Sequence, residues 1–320
     1  MPFDLPLMPS AIRLPPALFG RVATTVALCL LPGMAAARDC IGVVPAGGGA
    51  GFWSDVQAGA ERAGRDLDFD IYFRGPKDEE HPELQQRIVE AIVGRGCKAL
   101  VIAPTAASLA DEVNRLKRRG IPTVYIDRDP GGAEVAAVVS TDNLSAGRTA
   151  GHLMAQMLHN KGRVLLFRLK AGIDSTDQRE TGFAHAATQA GLVVIDGGFL
   201  GSDIGQARGR AARKLKTAGA VDGVFTPNES TTAAVLMTLR ENGEAGKTRH
   251  VGFDSNELLL SAVRQGGIGA LIVQRPYDIG YRGVALAVRA LKRQSLPSRP
   301  IDTGVTIVDA AHLATGAGVR

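Results

Sequence analysis

Short apolar runs, rich in β-branched residues, alternate along the chain with longer segments whose apolar positions recur at helical spacing. In the first half the runs are 41–45, 70–73, 99–103, 123–126 and 135–140. The segments 52–66, 82–95, 107–120 and 143–160 lie between and after them and predict helices. Gly120 followed by Ile121-Pro122 reads as a helix stop ahead of a strand. The second half repeats the rhythm with runs at 163–169, 193–195, 223–226, 249–253 and 269–273. A last helix is expected over 279–292, then Pro297–Pro300, a strand at 303–308, and a small, Gly-rich tail from Ala310 that should fray. Strands that are nearly all apolar and alternate with helices belong to parallel sheets covered on both faces. Two such series predict two doubly wound α/β lobes.

In open parallel sheets, ligands bind beyond the carboxyl ends of the strands. The first strand is followed by a glycine stretch and Phe52-Trp53, the third by Pro104-Thr105, and the fourth by Asp127-Arg128. In the second series Asn228, Asp254 and Gln274 stand at the corresponding places. Carboxylates accept hydrogen bonds from hydroxyls, a guanidinium donates through a rigid fork, and amides do both. With an aromatic wall, this set suits a small sugar or polyol, and no member needs to move a proton or attack a bond. Each residue also has a plainer reading. Asp127-Arg128 could be an ion pair at a strand end, Asn228 and Asp254 could cap helices, and Phe52 and Trp53 could be core. Their coincidence at equivalent strand ends outweighs any one of these.

Composition narrows the field. The chain of 320 residues carries 37 Lys+Arg against 32 Asp+Glu and is 45% apolar, well inside the globular range. Aromatics are 5%, too few for a surface that stacks bases, and the one basic run, 115–119, reads as the solvated face of a helix. No nucleic-acid partner is expected. Residues 1–37 read as a secretory signal, with Arg13 and Arg21 ahead of an apolar stretch from Val22 to Leu31, then Pro32-Gly33 and Ala35-Ala36-Ala37 as the cleavage site. Without that segment, which holds Arg13, Arg21 and Asp4, the net charge falls from +5 to +4. Cys29 leaves with it, so Cys40 and Cys97 remain in an oxidising compartment where they could pair.

Enzyme signatures fail one by one. Gly47-x-Gly49 requires a third glycine where Phe52 stands, and Gly49-x-Gly51 requires one where Ser54 stands, so no dinucleotide fingerprint results. Gly246-Lys247-Thr248 lacks the earlier glycine of a phosphate loop and precedes a strand instead of following one. Neither His-Glu-x-x-His nor Gly-x-Ser-x-Gly occurs. His152 and His159 read as surface residues, and the cysteines lack zinc-ligand spacing. Neither a cofactor, a metal nor catalysis is expected.

The segments Phe52-Trp53, Ile121-Pro122-Thr123-Val124-Tyr125-Ile126-Asp127-Arg128, Ser140-Thr141-Asp142-Asn143, Gly223-Val224-Phe225-Thr226-Pro227-Asn228-Glu229, Val251-Gly252-Phe253-Asp254 and Gln274-Arg275-Pro276-Tyr277-Asp278-Ile279-Gly280 occur in this order. Together they resemble the ribose-type periplasmic sugar-binding proteins, the soluble receptors of ABC sugar importers, over about Asp39 to Val308. Sugar-responsive repressors share these lobes but carry a DNA-binding element where this chain has an export signal. The resemblance implies a monomeric periplasmic receptor that delivers a sugar or polyol to a membrane permease. A sensory receptor docking on a histidine kinase or chemoreceptor, and an exported sugar-acting enzyme, are the alternatives. It implies an N-terminal lobe of 38–141 plus 275–303 and a C-terminal lobe of 142–274 plus 304–320. Hinge crossings would lie near 140–142, 274–275 and 302–304. Ligand contacts would be Phe52, Trp53, Asp127, Arg128, Asn228, Asp254 and Gln274.

The chain departs from the ribose pattern at three places. Ala50 and Ala103 stand where those receptors carry Asn, and Asp177 stands where they carry Arg, with Arg179 two residues on. Lost amides remove hydroxyl contacts worth about 0.5–1.5 kcal/mol each, so a larger or differently substituted sugar is expected. Added room would come at Ala50 and Ala103, and Asp177 or Arg179 would read the far side of the ring. The resemblance also places Cys40 and Cys97 at the amino ends of neighbouring strands, away from the ligand, and implies a disulfide between them.

Overall fold

Among the described residues, twelve strands divide equally between two sheets. In the computed structural model, which describes residues 38–48, 51–79, 81–316 and 318, the first sheet has the order β11-β5-β4-β3-β1-β2. Its strands are β1 (Cys40–Val44), β2 (Asp70–Phe73), β3 (Ala99–Ile102), β4 (Thr123–Ile126), β5 (Ala137–Ser140) and β11 (Ile301–Asp302), all paired in parallel. The second sheet has the order β12-β10-β9-β8-β6-β7. It comprises β6 (Arg163–Arg168), β7 (Val193–Phe199), β8 (Gly223–Phe225), β9 (Arg249–Phe253), β10 (Ala270–Gln274) and β12 (Val305–Val308). Only β12 runs antiparallel, against β10. The secretory signal expected over 1–37, and Ala50, lie outside the described residues.

Burial on both faces explains the unbroken apolar strands. On one face of the first sheet Val43, Val101, Val124 and Val139 pack on Val56 and Ala60 of α1 (Phe52–Leu67) and on Val284 of α9 (Pro276–Leu291). On the other, Val44, Leu100, Ile102 and Tyr125 pack on α2 (Pro82–Gly94) and α3 (Ala110–Arg118). The second sheet is covered likewise by α4 (Asn143–Met157) and α5 (Asp174–Gln189) on one face. On the other face lie α6 (Ile204–Ala218), α7 (Glu229–Glu241) and α8 (Glu257–Arg264).

Each lobe has one helix pair in backbone contact. A Cβ at Gly59 of α1 would collide with Tyr277 O of α9, and one at Gly280 of α9 with Val56 O of α1. The same holds between α4 and α5, where Gly147 faces Arg179 O and Gly182 faces Leu144 O.

The chain passes between the sheets after β5, after β10 and between β11 and β12. Two of these passages touch: Thr303 N donates to Ser140 O at 3.0 Å, and Asp142 N donates to Asp302 Oδ1 at 2.9 Å.

Several boundaries differ from the sequence expectation. The strand expected over 303–308 starts at Val305 as β12, because Thr303-Gly304, with Gly304 at φ 72°, forms the passage from the short β11 in the other sheet, which the sequence did not predict. β7 continues past Ile195 to Phe199, and its pairing with β6 skips Gly197 in a bulge that hides the strand period. α9 starts earlier, at Pro276, a residue suited to the first helical turn. The tail expected to fray from Ala310 instead forms α10 (Ala310–Ala314), whose first turn is capped by Asp309 Oδ1 accepting from His312 N at 2.7 Å. Cys97 precedes β3 by two residues, and its sulfur is bonded to that of Cys40.

Candidate functional site

A cleft of about 1010 Å³ opens where the carboxyl ends of the two sheets meet. Its aromatic wall is the first turn of α1. Gly51 precedes that turn at φ 86°, a conformation that L side chains rarely adopt. Phe52 and Trp53 stand edge to face there with ring centroids 4.9 Å apart.

The deepest charges lie at equivalent places in the two lobes. Asp127 follows β4 and Asp254 follows β9, strands that hold the same position in their sheets. Both carry left-handed backbones, φ 67° and 64°, which cost a non-glycine residue about 1–2 kcal/mol. Each donates its N–H at 2.9 Å to the neighbouring strand, to Val139 O and Ile272 O respectively. The turn aims each carboxylate into the cleft instead of along the strand. Asp127, Arg128 and Asp254 are all nearly inaccessible to solvent.

Arg128 is gripped by two carboxylates. Its Nε donates to Asp127 Oδ2 at 2.9 Å, and its Nη1 and Nη2 donate to Glu79 Oε2 and Oε1 at 2.8 and 3.4 Å. Burial works against its charge, but Glu79 and Asp127 outweigh that and hold its pKa above the ordinary arginine value. Arg179 of α5 donates from Nε to Asn143 Oδ1 at 2.8 Å and from Nη1 to Pro227 O at 2.9 Å. It lies 4.5 Å from the Phe253 ring centroid and 4.0 Å from Asp254 Oδ2. Burial lowers its pKa, and Asp254 opposes the shift. The Asp254 carboxyl is itself pushed up by burial, against Arg179 and Gln274.

The amides bind these charges together. Gln274 Nε2 donates to Asp254 Oδ1 at 2.7 Å, and Gln274 Oε1 accepts from Thr141 Oγ1 at 3.0 Å. Asn228 caps α7 by accepting from Thr231 N at 3.2 Å while bordering the cleft. Beneath it, buried His250 Nε2 lies 2.9 Å from Thr226 Oγ1, which lies 2.9 Å from Thr232 Oγ1. Thr232 Oγ1 donates to Asn228 O at 2.7 Å and accepts from Phe253 N at 3.2 Å. One hidden hydroxyl therefore braces the ends of both β8 and β9.

One contact spans the mouth. Glu229, the first residue of α7, accepts from Phe52 N at 3.4 Å through Oε2 and from Asn256 Nδ2 at 2.7 Å through Oε1. A Cβ on Gly51 would overlap its carboxylate. Burial raises the Glu229 pKa, with Asn256 opposing and Asp254 adding to the shift.

A two-lobed α/β molecule with a polar, aromatic-walled cleft between its sheets has close counterparts among known proteins. The family model described as "periplasmic binding protein domain" matches residues 41–295. The chain belongs to this family. Among relatives of this periplasmic binding protein is the ribose import binding protein of Haemophilus influenzae, 26% identical over 79% of this chain and 86% of that one. The periplasmic component of an ABC-type sugar transport system from Hahella chejuensis superposes with a TM-score of 0.80 at 32% identity, covering 84% of this chain and 99% of its own. An ABC transporter solute-binding protein from Agrobacterium vitis, solved with bound α-D-tagatopyranose, gives a TM-score of 0.81 at 26% identity, covering 86% and 96%.

In this periplasmic binding protein Phe52, Trp53, Asp127, Arg128, Arg179, Asn228, Asp254 and Gln274 all border the cleft. Their structural roles coexist with that position: the Asp127–Arg128 ion pair and the Asn228 cap are both present. Asp254 does not cap α8, which Asn256 does, but its Oδ2 accepts from Glu229 N at 3.3 Å in the first turn of α7. Two expected positions lie elsewhere. Ala103 is fully buried, its carbonyl accepting from Gln85 Nε2 at 2.8 Å, so it opens no room in the cleft. Asp177 turns back to accept from Gly172 N at 2.9 Å, and the guanidinium that enters the cleft is that of Arg179. Sequence reasoning missed Glu79, Glu229 and Asn256, which all border the cleft. Glu79 lies in the segment after β2, a strand end left unread, and Glu229 directly follows Asn228.

Proposed function

We propose that this protein is exported to the periplasm, its leader cleaved near Ala37, and that it binds a small sugar or polyol between its lobes. It then delivers the ligand unchanged to the membrane permease of an ABC importer. The observation that carries this reading is the pairing of an aromatic wall from one lobe with buried carboxylate, guanidinium and amide groups from both. A ring held there meets an apolar face and a ring of hydroxyl partners at once. Among the described residues no histidine or cysteine borders the cleft. The functional lobes are 38–141 with 275–303 and 142–274 with 304–320, and the three passages between the sheets serve as the hinge.

The test uses residues 38–320, unfolded and refolded with the disulfide intact to strip carried-over ligand, against pentoses, hexoses and polyols. At about 100 times its dissociation constant a ligand should stabilise the fold by about 2.7 kcal/mol. That is a rise of several degrees in Tm. Trp53, the only tryptophan, should change its fluorescence with the same ligand. Silence from every sugar and polyol, in a sample with a sharp unfolding transition, would overturn the reading.

A further inference from the structure

Charge in the cleft is unevenly distributed, and Glu79 concentrates the surplus at Arg128. At the inner wall four carboxylates, Asp127, Asp254, Glu79 and Glu229, face two guanidiniums, Arg128 and Arg179. At the rim Lys77 and Arg210 balance Asp78 and Asp203. Arg128 already has its counter-ion in Asp127 at 2.9 Å. Glu79, from the β2–α2 segment, adds a second carboxylate across both terminal nitrogens, at 2.8 and 3.4 Å. Both partners are shielded from water, with side chains 6% and 17% exposed, so the surplus negative charge is weakly screened. Of the five N–H bonds of Arg128, three are spent inside the protein. A ligand acid would therefore meet a guanidinium that is both mostly occupied and over-neutralised. Among the described residues no acidic group is arranged to hold a metal ion, which could otherwise absorb the surplus.

We infer that Glu79 sets the charge specificity of the cleft, so that it accepts neutral sugars, binds sugars bearing an ammonium group at least as well, and refuses those bearing a carboxylate or phosphate. This rests on the sugar-receptor reading and goes beyond it, since the aromatic wall and strand-end residues alone leave the ligand's charge open. Glu79 acts through Arg128 and is a positioning residue, not a group assigned to the ring itself.

The test compares one neutral sugar with its amine and its acid by isothermal titration at pH 7.5 and low salt. The trios are glucose, glucosamine and glucuronate; galactose, galactosamine and galacturonate; or, for a pentose, its 5-amino-5-deoxy and uronate forms. The trio is that of the neutral sugar with the highest affinity in the panel above. In the wild-type protein the acid should bind at least 10-fold more weakly than the neutral sugar, and the amine equally well or better. Glu79→Gln should narrow the acid-to-neutral gap at least 5-fold and weaken the amine, with an unchanged far-UV spectrum. Glu257→Gln, the same charge change on exposed α8, should leave both ratios alone. Acid binding within 2-fold of neutral in the wild type, or ratios that Glu79→Gln does not move, would overturn the inference while the receptor reading stands. If no neutral sugar binds, the receptor reading fails and takes this inference with it.

Discussion

His250 is the residue whose chemistry is most fully set by its surroundings. It is completely buried, and burial alone pushes its pKa down to about 3. The unfolded chain binds a proton near pH 6.5, whereas the fold resists it until about pH 3. The stability this histidine contributes is therefore whole above pH 6.5 and falls as the pH drops through that window. The slope is about 1.4 kcal/mol per pH unit. Urea titrations at pH 7, 6, 5 and 4 should show this loss, and His250→Gln, which keeps a polar partner for Thr226, should flatten it. An unchanged slope in the variant would refute the assignment. Such a residue could not be read from sequence, where it is one histidine in an apolar strand. The strand-end residues were legible because topology alone decides which side of a parallel sheet faces a ligand. Glu79 and Glu229 were not, because their roles depend on partners 49 and 177 residues away in the chain.

Among the elements, the helix pairs α1–α9 and α4–α5 carry the greatest constraint. Each is held at backbone distance by glycines, and each positions cleft groups: Phe52 and Trp53 on α1, and Arg179 on α5. At Gly147 the group in the way is the carbonyl of Arg179 itself, which cannot rotate aside as a side chain would. Gly147→Ala should therefore cost about 1–3 kcal/mol by overpacking. It should also weaken sugar binding by displacing the guanidinium. Gly94→Ala, with open space around it, is the control; equal Tm values for the two variants would contradict this packing argument. Most of these elements were legible in the alternation of apolar runs with helical spacing. The failures have local causes. A bulge at Gly197 broke the period of β7, and the glycine turn at Thr303-Gly304 shortened the last strand at its start and left the two-residue β11 before it unpredicted. Capping by Asp309 ordered a tail whose composition suggested fraying.

In the whole molecule, the disulfide and the cleft lie at opposite ends of the first lobe. Cys40 and Cys97 tie the amino ends of two neighbouring strands, while ligand groups gather at the carboxyl ends. That lobe is thus pinned at its base and free to present its upper rim to the other. The contact between Glu229 and the backbone of Phe52 joins those rims directly. Its consequence is kinetic. On the hinge proposed above, a bound molecule leaves as the lobes part, and parting breaks this hydrogen bond, which association does not need to form first. The contact should therefore lengthen residence time without altering capture. Glu229→Ala should raise the dissociation rate about 3–10-fold, the equivalent of one hydrogen bond, and leave the association rate nearly unchanged. Stopped-flow Trp53 fluorescence reads both, and a change confined to association would reverse the assignment. A receptor serving a transporter must release its cargo on demand, and one carboxylate at the mouth works as an escapement, setting how long each delivery is held.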